Sequence, residues 1–305
     1  MTKVFIDGSA GTTGLRIVQR LSDRKDIRLL KLPEELRKDA AARKDMLNEA
    51  DVAFLCLPDQ AAREAVALVE NPNTAVIDTS TAHRTREDWA YGFPELSPNH
   101  RKAIASSKRV ANPGCHASGF ISIVYPLVSH GVLAADCPLT AYSLTGYSGG
   151  GKSMIAEYED PHRDGIYSSD RIYATTLRHK HLPEMEKICG LSKPPVFSPI
   201  VGDYHSGMAT TVLLPGFSAE TVWQCLQAHY AGERMVTVAP LGGDGAVIYA
   251  GTLAGKDTLR IQVCGHEEQT TVTALFDNLG KGASGAAIQN MNILLGLEET
   301  TGLQL

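Results

Sequence analysis

Short apolar runs alternate with amphipathic stretches along the first third of the chain. Residues 3–7 (KVFID) read as a buried strand, followed by a glycine-rich turn and GLRIVQRLSDR, where Leu15, Val18 and Leu21 recur at helical spacing. Further strands are predicted at 27–32 (IRLLKL), 52–58 (VAFLCLP), 75–80 (AVIDTS) and 108–114 (KRVANPG), with the helical run DQAAREAVALV after the third. Strands that alternate with helices imply βαβ units and a parallel sheet with right-handed crossovers. The expectation is an α/β fold whose N-terminal part is a Rossmann-like, doubly wound parallel sheet.

The pattern changes at Cys115. HASGFISIVYPLVSHGVL (116–133) reads as an apolar helix. Strand-like runs follow at LTAYSLTG (139–146), GMATTVLLP (207–215), AVIYAGTLAG (246–255) and TLRIQVCG (258–265), with 147–180 expected as a long loop. This predicts an α+β domain with a mixed or antiparallel sheet over 115–282. Helical character returns at 283–297 (ASGAAIQNMNILLGL), so the first domain is read as 1–114 completed by a C-terminal helix within 283–305.

Composition narrows the classes. The 305 residues carry 43% hydrophobic and 21% charged positions and a net charge of -5, with Lys and Arg scattered. A nucleic-acid or anionic-membrane surface would need a basic patch, and a membrane span ~18 consecutive apolar residues. Neither is found, and the start MTKVFIDGSAG enters a strand at once, so a cytoplasmic protein is expected. Six cysteines, at 56, 115, 137, 189, 225 and 264, lie far apart without a C-x-x-C pair. They read as free thiols, not as disulfides or metal ligands. Cys56 is expected mid-strand in the core.

Four segments carry candidate chemistry. In Gly8-Ser9-Ala10-Gly11-Thr12-Thr13-Gly14, directly after strand one, glycines let a phosphate approach backbone N–H groups at a helix N-terminus. Gly8, Ser9, Gly11, Thr12, Thr13 and Gly14 are therefore candidate dinucleotide contacts. NAD usually asks for an acid at the end of strand two. Here Arg28 and Lys31 stand there with no acid before Glu34, which points to NADP. Asn112-Pro113-Gly114-Cys115 puts a thiol at a strand-to-helix junction, where the macrodipole favours the thiolate. Arg178-His179-Lys180-His181-Leu182-Pro183-Glu184 offers proton handlers for it. Two histidines one residue apart would face opposite sides of an extended segment, so at most one is expected to reach Cys115. Gly146-Tyr147-Ser148-Gly149-Gly150-Gly151-Lys152, placed long before any helical pattern, is either an oxyanion nest or a flexible linker.

GSAGTTG, DTSTAHR (78–84), NPGC, GYSGGGK, HKHLPE (179–184) and GKGASGAAIQNMN (280–292), in this order from end to end, resemble N-acetyl-γ-glutamyl-phosphate reductase of arginine biosynthesis, in its shorter type. The resemblance implies NADPH-dependent reduction of an acyl phosphate to an aldehyde through a cysteine thioester. It implies Cys115 as nucleophile and His181, with His179 as second candidate, as acid/base. It puts Ser80, Gly149 and Asn290 at the cofactor, Asn112, Arg84 and Lys152 on the substrate side, and a dimer or tetramer in solution. The longer type has HLIPMxRG where this chain has IVGDYHSGM (200–208). Arg84, Lys152, Arg171 and Arg178 are then candidate partners for the substrate anion, and His205 becomes a third histidine near the site. Two rivals stand: an aspartate-semialdehyde-type dehydrogenase, whose nucleophile turn normally reads Asn before Cys, and a non-catalytic NADP-binding sensor.

Overall fold

In the computed structural model, which describes residues 1–243, 245 and 247–305, the chain divides into two compact units. One comprises Met1–Gly114 and Ala283–Leu303, the other Cys115–Gly282 and Gln304–Leu305. The first holds β1 (Thr2–Asp7), α1 (Thr12–Ser22), β2 (Ile27–Leu30), α2 (Ala40–Glu49), β3 (Val52–Leu55), α3 (Asp59–Ala67), β4 (Ala75–Asp78), β5 (Ala90–Tyr91), α4 (Pro98–Ser106) and β6 (Arg109–Ala111). All six strands run parallel in the order β2-β1-β3-β4-β6-β5.

Burial on both faces explains the nearly continuous apolar strands. Val4, Ile6, Val52, Phe54, Ala75 and Ile77 share a core with Ile17 and Leu21 of α1, Ile104 of α4, and Ile288 and Met291 of the C-terminal helix Gly285–Leu294. Their strand neighbours Phe5, Ala53, Leu55 and Val76 join Leu47 of α2 and Ala62 and Ala65 of α3. The sheet is thus doubly wound, as expected. The edge strand β5 and the helix α2 were not legible in the pattern. α2 buries only Leu47 and shows no apolar stripe; its N-terminus is fixed by Asp39, which accepts from the Ala42 N–H at 2.8 Å.

The second unit holds α5 (Cys115–Ser129), β7 (Thr140–Gly146), α6 (Gly151–Glu159), β8 (Arg171–Ile172), α7 (Leu182–Cys189), β9 (Val196–Gly202), β10 (Met208–Pro215), α8 (Ala219–His229), β11 (Val236–Val238), β12 (Leu259–Gly265) and β13 (Gln269–Phe276). The sheet runs β11-β12-β13-β10-β7-β9-β8, with β11/β12 and β7/β9 parallel and the other pairs antiparallel. It is therefore mixed. Two expectations fail here. The stretch 147–180 is no loop, since it contains α6, a 3-10 turn at Gly165–Ser168 and β8. The run 246–255 forms no strand over its described residues: 250–255 are turns, Gly255 has φ 82, and Val247 and Tyr249 are exposed, so no buried face pins a register.

Helix α5 is buried on nearly every side, packed on β10, β13, α7 and α8. Pro126 inside it has no N–H for the Ser122 carbonyl, and the Tyr230 hydroxyl donates to that oxygen at 2.7 Å instead.

Candidate active site

The glycine-rich turn of the first unit follows β1 where the chain order reverses, β2 lying on one side of β1 and β3 on the other. Open α/β sheets bind ligands at that point, at the carboxyl ends of the strands. Gly8 has φ 84, and a Cβ there would sit 2.2 Å from the Cys56 carbonyl oxygen; a Cβ on Gly14 would sit 2.5 Å from the Gly8 carbonyl oxygen. Only glycine allows the strand, turn and helix to come this close. A cleft of about 670 Å³ opens beside the turn, lined among others by Gly8, Ser9, Gly11, Lys31, Arg37 and Lys38. Thr12 opens α1, which has no acid in its first turn, and its Oγ1 is buried without a hydrogen-bond partner. An elongated ligand with phosphates fits these features: free helix N–H groups, an orphan hydroxyl and cations at the rim. No acid ends β2, and the buried Asp7 at the end of β1 is held by Arg43 at 2.8 and 3.0 Å. Cys56 lies just past β3, not mid-strand, where burial pushes its thiol up to about 12 and makes it unreactive.

The turn that leads to Cys115 is held by a buried network of the same unit. Asp78, at the end of β4, accepts from Ser80 N–H and Oγ at 3.0 and 2.7 Å and lies 2.6 Å from His83 Nδ1; the His83 ring stacks on Trp89 at 4.1 Å. Arg84 donates to the Asn112 and Thr79 carbonyls at 2.9 and 2.8 Å. Asn112 donates to the Ala283 carbonyl and accepts from Asn290, at 3.1 Å each, while Asn290 also donates to the Gly92 carbonyl at 2.9 Å. Arg84, Asn112 and Asn290 therefore act as clamps around the turn, whereas Ser80 ties down the Asp78 carboxylate. Arg84 is buried and turned to carbonyls, a poor match for the substrate-anion partner expected of it.

In the second unit Cys115 is the first residue of α5, half-buried, with no acid in the first turn to oppose a thiolate. Gly282 closes on it: a Cβ there would lie 3.0 Å from the Cys115 Cβ. His179 and His181 are both buried, 8% and 5% exposed, with ring centroids 4.7 Å apart. The expectation that they face opposite ways fails, because the segment is a turn entering α7 and not an extended strand. His181 donates its backbone N–H to His179 Nδ1 at 3.2 Å, so neutral His179 carries its proton on Nε2. Burial, then the Lys180 charge, lowers His179 to about 4.

A third ring was missed. His116, beside the nucleophile in sequence, lies 5.2 Å from His179 and 5.8 Å from His181. Burial, aided by the charges of His179 and Lys180, holds it well below the usual histidine range. The only signal for it was a polar ring in the first turn of an otherwise apolar helix.

The remaining candidates are placed differently. In GYSGGGK the N–H groups of Gly146, Tyr147 and Ser148 donate to the carbonyls of Gly207, Tyr204 and His205, so half of the expected anion nest is already engaged. Gly149 is exposed, and Lys152 is exposed on α6. Asn278, also missed, donates to Ser148 Oγ and accepts from Gly207 N–H, both at 3.0 Å. Arg171 pairs with Glu157 at 3.3 Å and lies over Tyr158, Arg178 is exposed, and exposed His205 bonds Ser206 Oγ at 2.7 Å.

Two family models cover most of the chain: the semialdehyde dehydrogenase NAD binding domain over residues 29–104 and the semialdehyde dehydrogenase dimerisation domain over 115–278. The fold and the thiol-bearing helix are thus those of a nicotinamide-dependent oxidoreductase with a dimerisation domain. The N-acetyl-γ-glutamyl-phosphate reductase of Rhizobium etli is 48% identical over 96% of this chain and 98% of its own, and reductase 2 of a Nostoc species is 44% identical over 99% of both. The chain belongs to the N-acetyl-γ-glutamyl-phosphate reductase family. Among solved structures, aspartate semialdehyde dehydrogenase II of Vibrio cholerae matches with a TM-score of 0.72 at 15% identity, over 97% of this chain and 98% of that one. The Candida albicans enzyme, solved with NADP, matches at 0.66 and 17%, over 97% and 98%. At such identities the likeness is one of fold.

Proposed function

We propose that the protein is a cytoplasmic homo-oligomer that reduces N-acetyl-L-glutamyl 5-phosphate to N-acetyl-L-glutamate 5-semialdehyde and phosphate with NADPH. The observation that carries the reading is Cys115 at the start of α5, in the unit that also holds the buried pair His179 and His181. The Cys115 sulfur attacks the acyl carbon, and phosphate leaves with the C–O bonding pair, giving a thioester. Bound NADPH supplies the hydride that reduces this thioester carbon. Collapse of the resulting thiohemiacetal breaks the C–S bond, returns the electron pair to sulfur and frees the aldehyde. His179, neutral with a proton on Nε2, suits hydrogen-bond donation to the acyl oxygen; with its pKa near 4 it is a poor base at pH 7. That leaves His181 to take and return the proton. Gly8, Ser9, Gly11, Thr12, Thr13 and Gly14 would hold the cofactor phosphates, and Lys31 and Lys38 at the cleft rim favour NADP over NAD, Arg37 there being paired with Glu34 at 2.7 Å.

The test runs the reaction backwards, measuring phosphate-dependent reduction of NADP with the semialdehyde. Cys115→Ser should abolish turnover and leave NADP binding unchanged. NADP should exceed NAD in kcat/KM by roughly tenfold or more, the worth of one charge-assisted hydrogen bond of about 1.5 kcal/mol. Retained turnover in Cys115→Ser rules out the covalent route. Binding without turnover in the wild type favours the sensor, and activity only with the aspartyl analogue favours the other dehydrogenase.

A further inference from the structure

Arg171 stands on a platform of tyrosine rings in the second unit. Its guanidinium carbon lies 5.4 Å from the centre of the Tyr158 ring and 5.9 Å from that of Tyr167. Tyr158 is buried, stacks on Tyr147 at 4.8 Å and meets Tyr167 edge-on at 5.2 Å. Its hydroxyl makes no hydrogen bond, so the ring is held by its faces. Such a stack orients a planar cation and leaves its N–H edge for a carboxylate. Glu157 takes that edge at 3.3 Å, in a pair whose side chains are 37% and 42% exposed. The contact is long for a charge-assisted bond, and exposed pairs contribute little, so one carboxylate can readily replace another. Arg163 in the same cluster differs. Asp203 grips it by two bonds of 2.6 and 2.7 Å, and it also donates to the Tyr158 carbonyl at 2.8 Å.

The register puts Arg171 on the side of the sheet that carries α5. β8 pairs with β9 so that Arg171 lies opposite Val201 and Ile172 opposite Ile200, and the Tyr173 N–H extends the ladder to the Pro199 carbonyl at 3.2 Å. Side chains alternate along a strand, so Arg171 and Tyr173 share one face with Phe197 and Val201. On that face the Tyr173 hydroxyl lies 2.6 Å from His116 Nε2, and the Phe197 ring 5.3 Å from the His116 ring. His116 follows Cys115 in the first turn of α5. Arg171 stands one strand repeat, roughly 7 Å, beyond Tyr173. The N-acetylglutamyl chain carries phosphate at its reacting end and a carboxylate at the other. Phosphate leaves when the thioester forms, whereas the carboxylate remains to hold the acyl-enzyme while hydride arrives. We infer that Arg171 is the specificity-determining residue for this far end of the substrate. Its guanidinium, laid on Tyr158 and Tyr167, takes the α-carboxylate in exchange for Glu157. This rests on the substrate proposed above.

The test runs the reverse reaction of the full chain on two aldehydes. One is N-acetyl-L-glutamate 5-semialdehyde, the other 4-acetamidobutanal, the same molecule with hydrogen in place of the carboxylate. The wild type should prefer the first in kcat/KM by roughly 10–100-fold, the range for hydrogen bonds to a charged group. Arg171→Met should lose that factor on the semialdehyde, through KM more than kcat, and keep its kcat/KM on 4-acetamidobutanal within about twofold. Should this variant not fold, Arg171→Gln gives the same reading. Glu157→Gln, which loosens the guanidinium, should keep the preference with KM no higher than in the wild type. An arginine that only props up the fold cannot tell the two aldehydes apart. A wild type without preference, an equal loss on both aldehydes in Arg171→Met, or a preference lost in Glu157→Gln therefore overturns the inference. The two proposals separate cleanly. A wild type that turns over neither aldehyde counts against the proposed function and takes the inference with it, and an active wild type whose preference survives Arg171→Met counts against Arg171 alone.

Discussion

The three glycines of the first turn are not equivalent, and their alanine variants should separate fold from cofactor. At Gly8, alanine must adopt φ 84, which costs ~1–2 kcal/mol. Its Cβ also overlaps a backbone carbonyl at 2.2 Å that no rotamer change can relieve, an overpacking of ~1–3 kcal/mol. The sum, roughly 2–5 kcal/mol, is a large share of a typical ~5–15 kcal/mol stability and should lower Tm by roughly 5–15 °C. At Gly14 the same contact type, 2.5 Å to the Gly8 oxygen, is partly offset by the ~1 kcal/mol better helix propensity of alanine. At Gly11 the nearest atom would be 3.4 Å away and φ is -74, so the fold should tolerate alanine with almost no change in Tm. Thermal melts with and without NADPH provide the assay. At about 100 times Kd a ligand adds ~2.7 kcal/mol, and the wild type should gain several degrees. Gly11→Ala should melt as the wild type does alone yet lose most of that gain, because on the proposed reading the cofactor phosphates approach the backbone at Gly11. Gly8→Ala melting within about 2 °C of wild type, or Gly11→Ala melting as low as Gly8→Ala, would refute the packing account.

Two further outcomes follow from the second unit. Tyr230→Phe leaves the buried Ser122 carbonyl without a donor and should cost ~1–3 kcal/mol in urea unfolding; in a Pro126→Ala background, which restores the helical N–H, it should cost clearly less, and equal costs in both would contradict the compensation. His179 is depressed to about 4 against 6.5 for a free histidine. Between those values the unfolded chain binds a proton that the folded ring refuses, so stability falls as pH drops from about 6.5 towards 4, with His116 acting in the same sense. Urea midpoints at several pH values should show this decline, shallower in His179→Asn; an identical decline would exclude the ring as its source.

Elements whose burial is uniform were legible in the sequence. β1, β3 and β4 are apolar on both faces, and α5 is apolar all round, so each announces itself. β9 and β13 did not. Pro199 sits inside β9, and a proline normally argues against a strand. β13 begins QTTVT, polar by composition, yet its Thr273 is buried and bonded to Thr211 at 2.9 Å. A tertiary partner that satisfies a hydroxyl is invisible along the chain. The site divides in the same way. Cys115 and the glycine turn were legible because a junction and a spacing lie along the chain. His116, Asp78, His83 and Tyr173 were not, because their meaning lies in contacts with residues distant in sequence. The two-faced reading of His179 and His181 failed for a local reason: it took the segment as extended where the chain turns.

The first unit is built from two separate stretches of chain, 1–114 and 283–303. Ala287, Ile288, Met291 and Ile293 close one face of its sheet, and they are the last of its core residues to be synthesised. A ribosome that has made all six parallel strands still holds them with that face open while the whole of 115–282 emerges. The chain leaves and re-enters at one point, Asn112 reaching the Ala283 carbonyl at 3.1 Å, so the intervening stretch is a cassette inserted before the final helix. A chain cut short before Gly285 would retain Cys115 and every histidine discussed, yet display an uncovered apolar sheet. Chaperones and proteases can read such a surface, so the helix Gly285–Leu294 doubles as the mark that the first unit is complete.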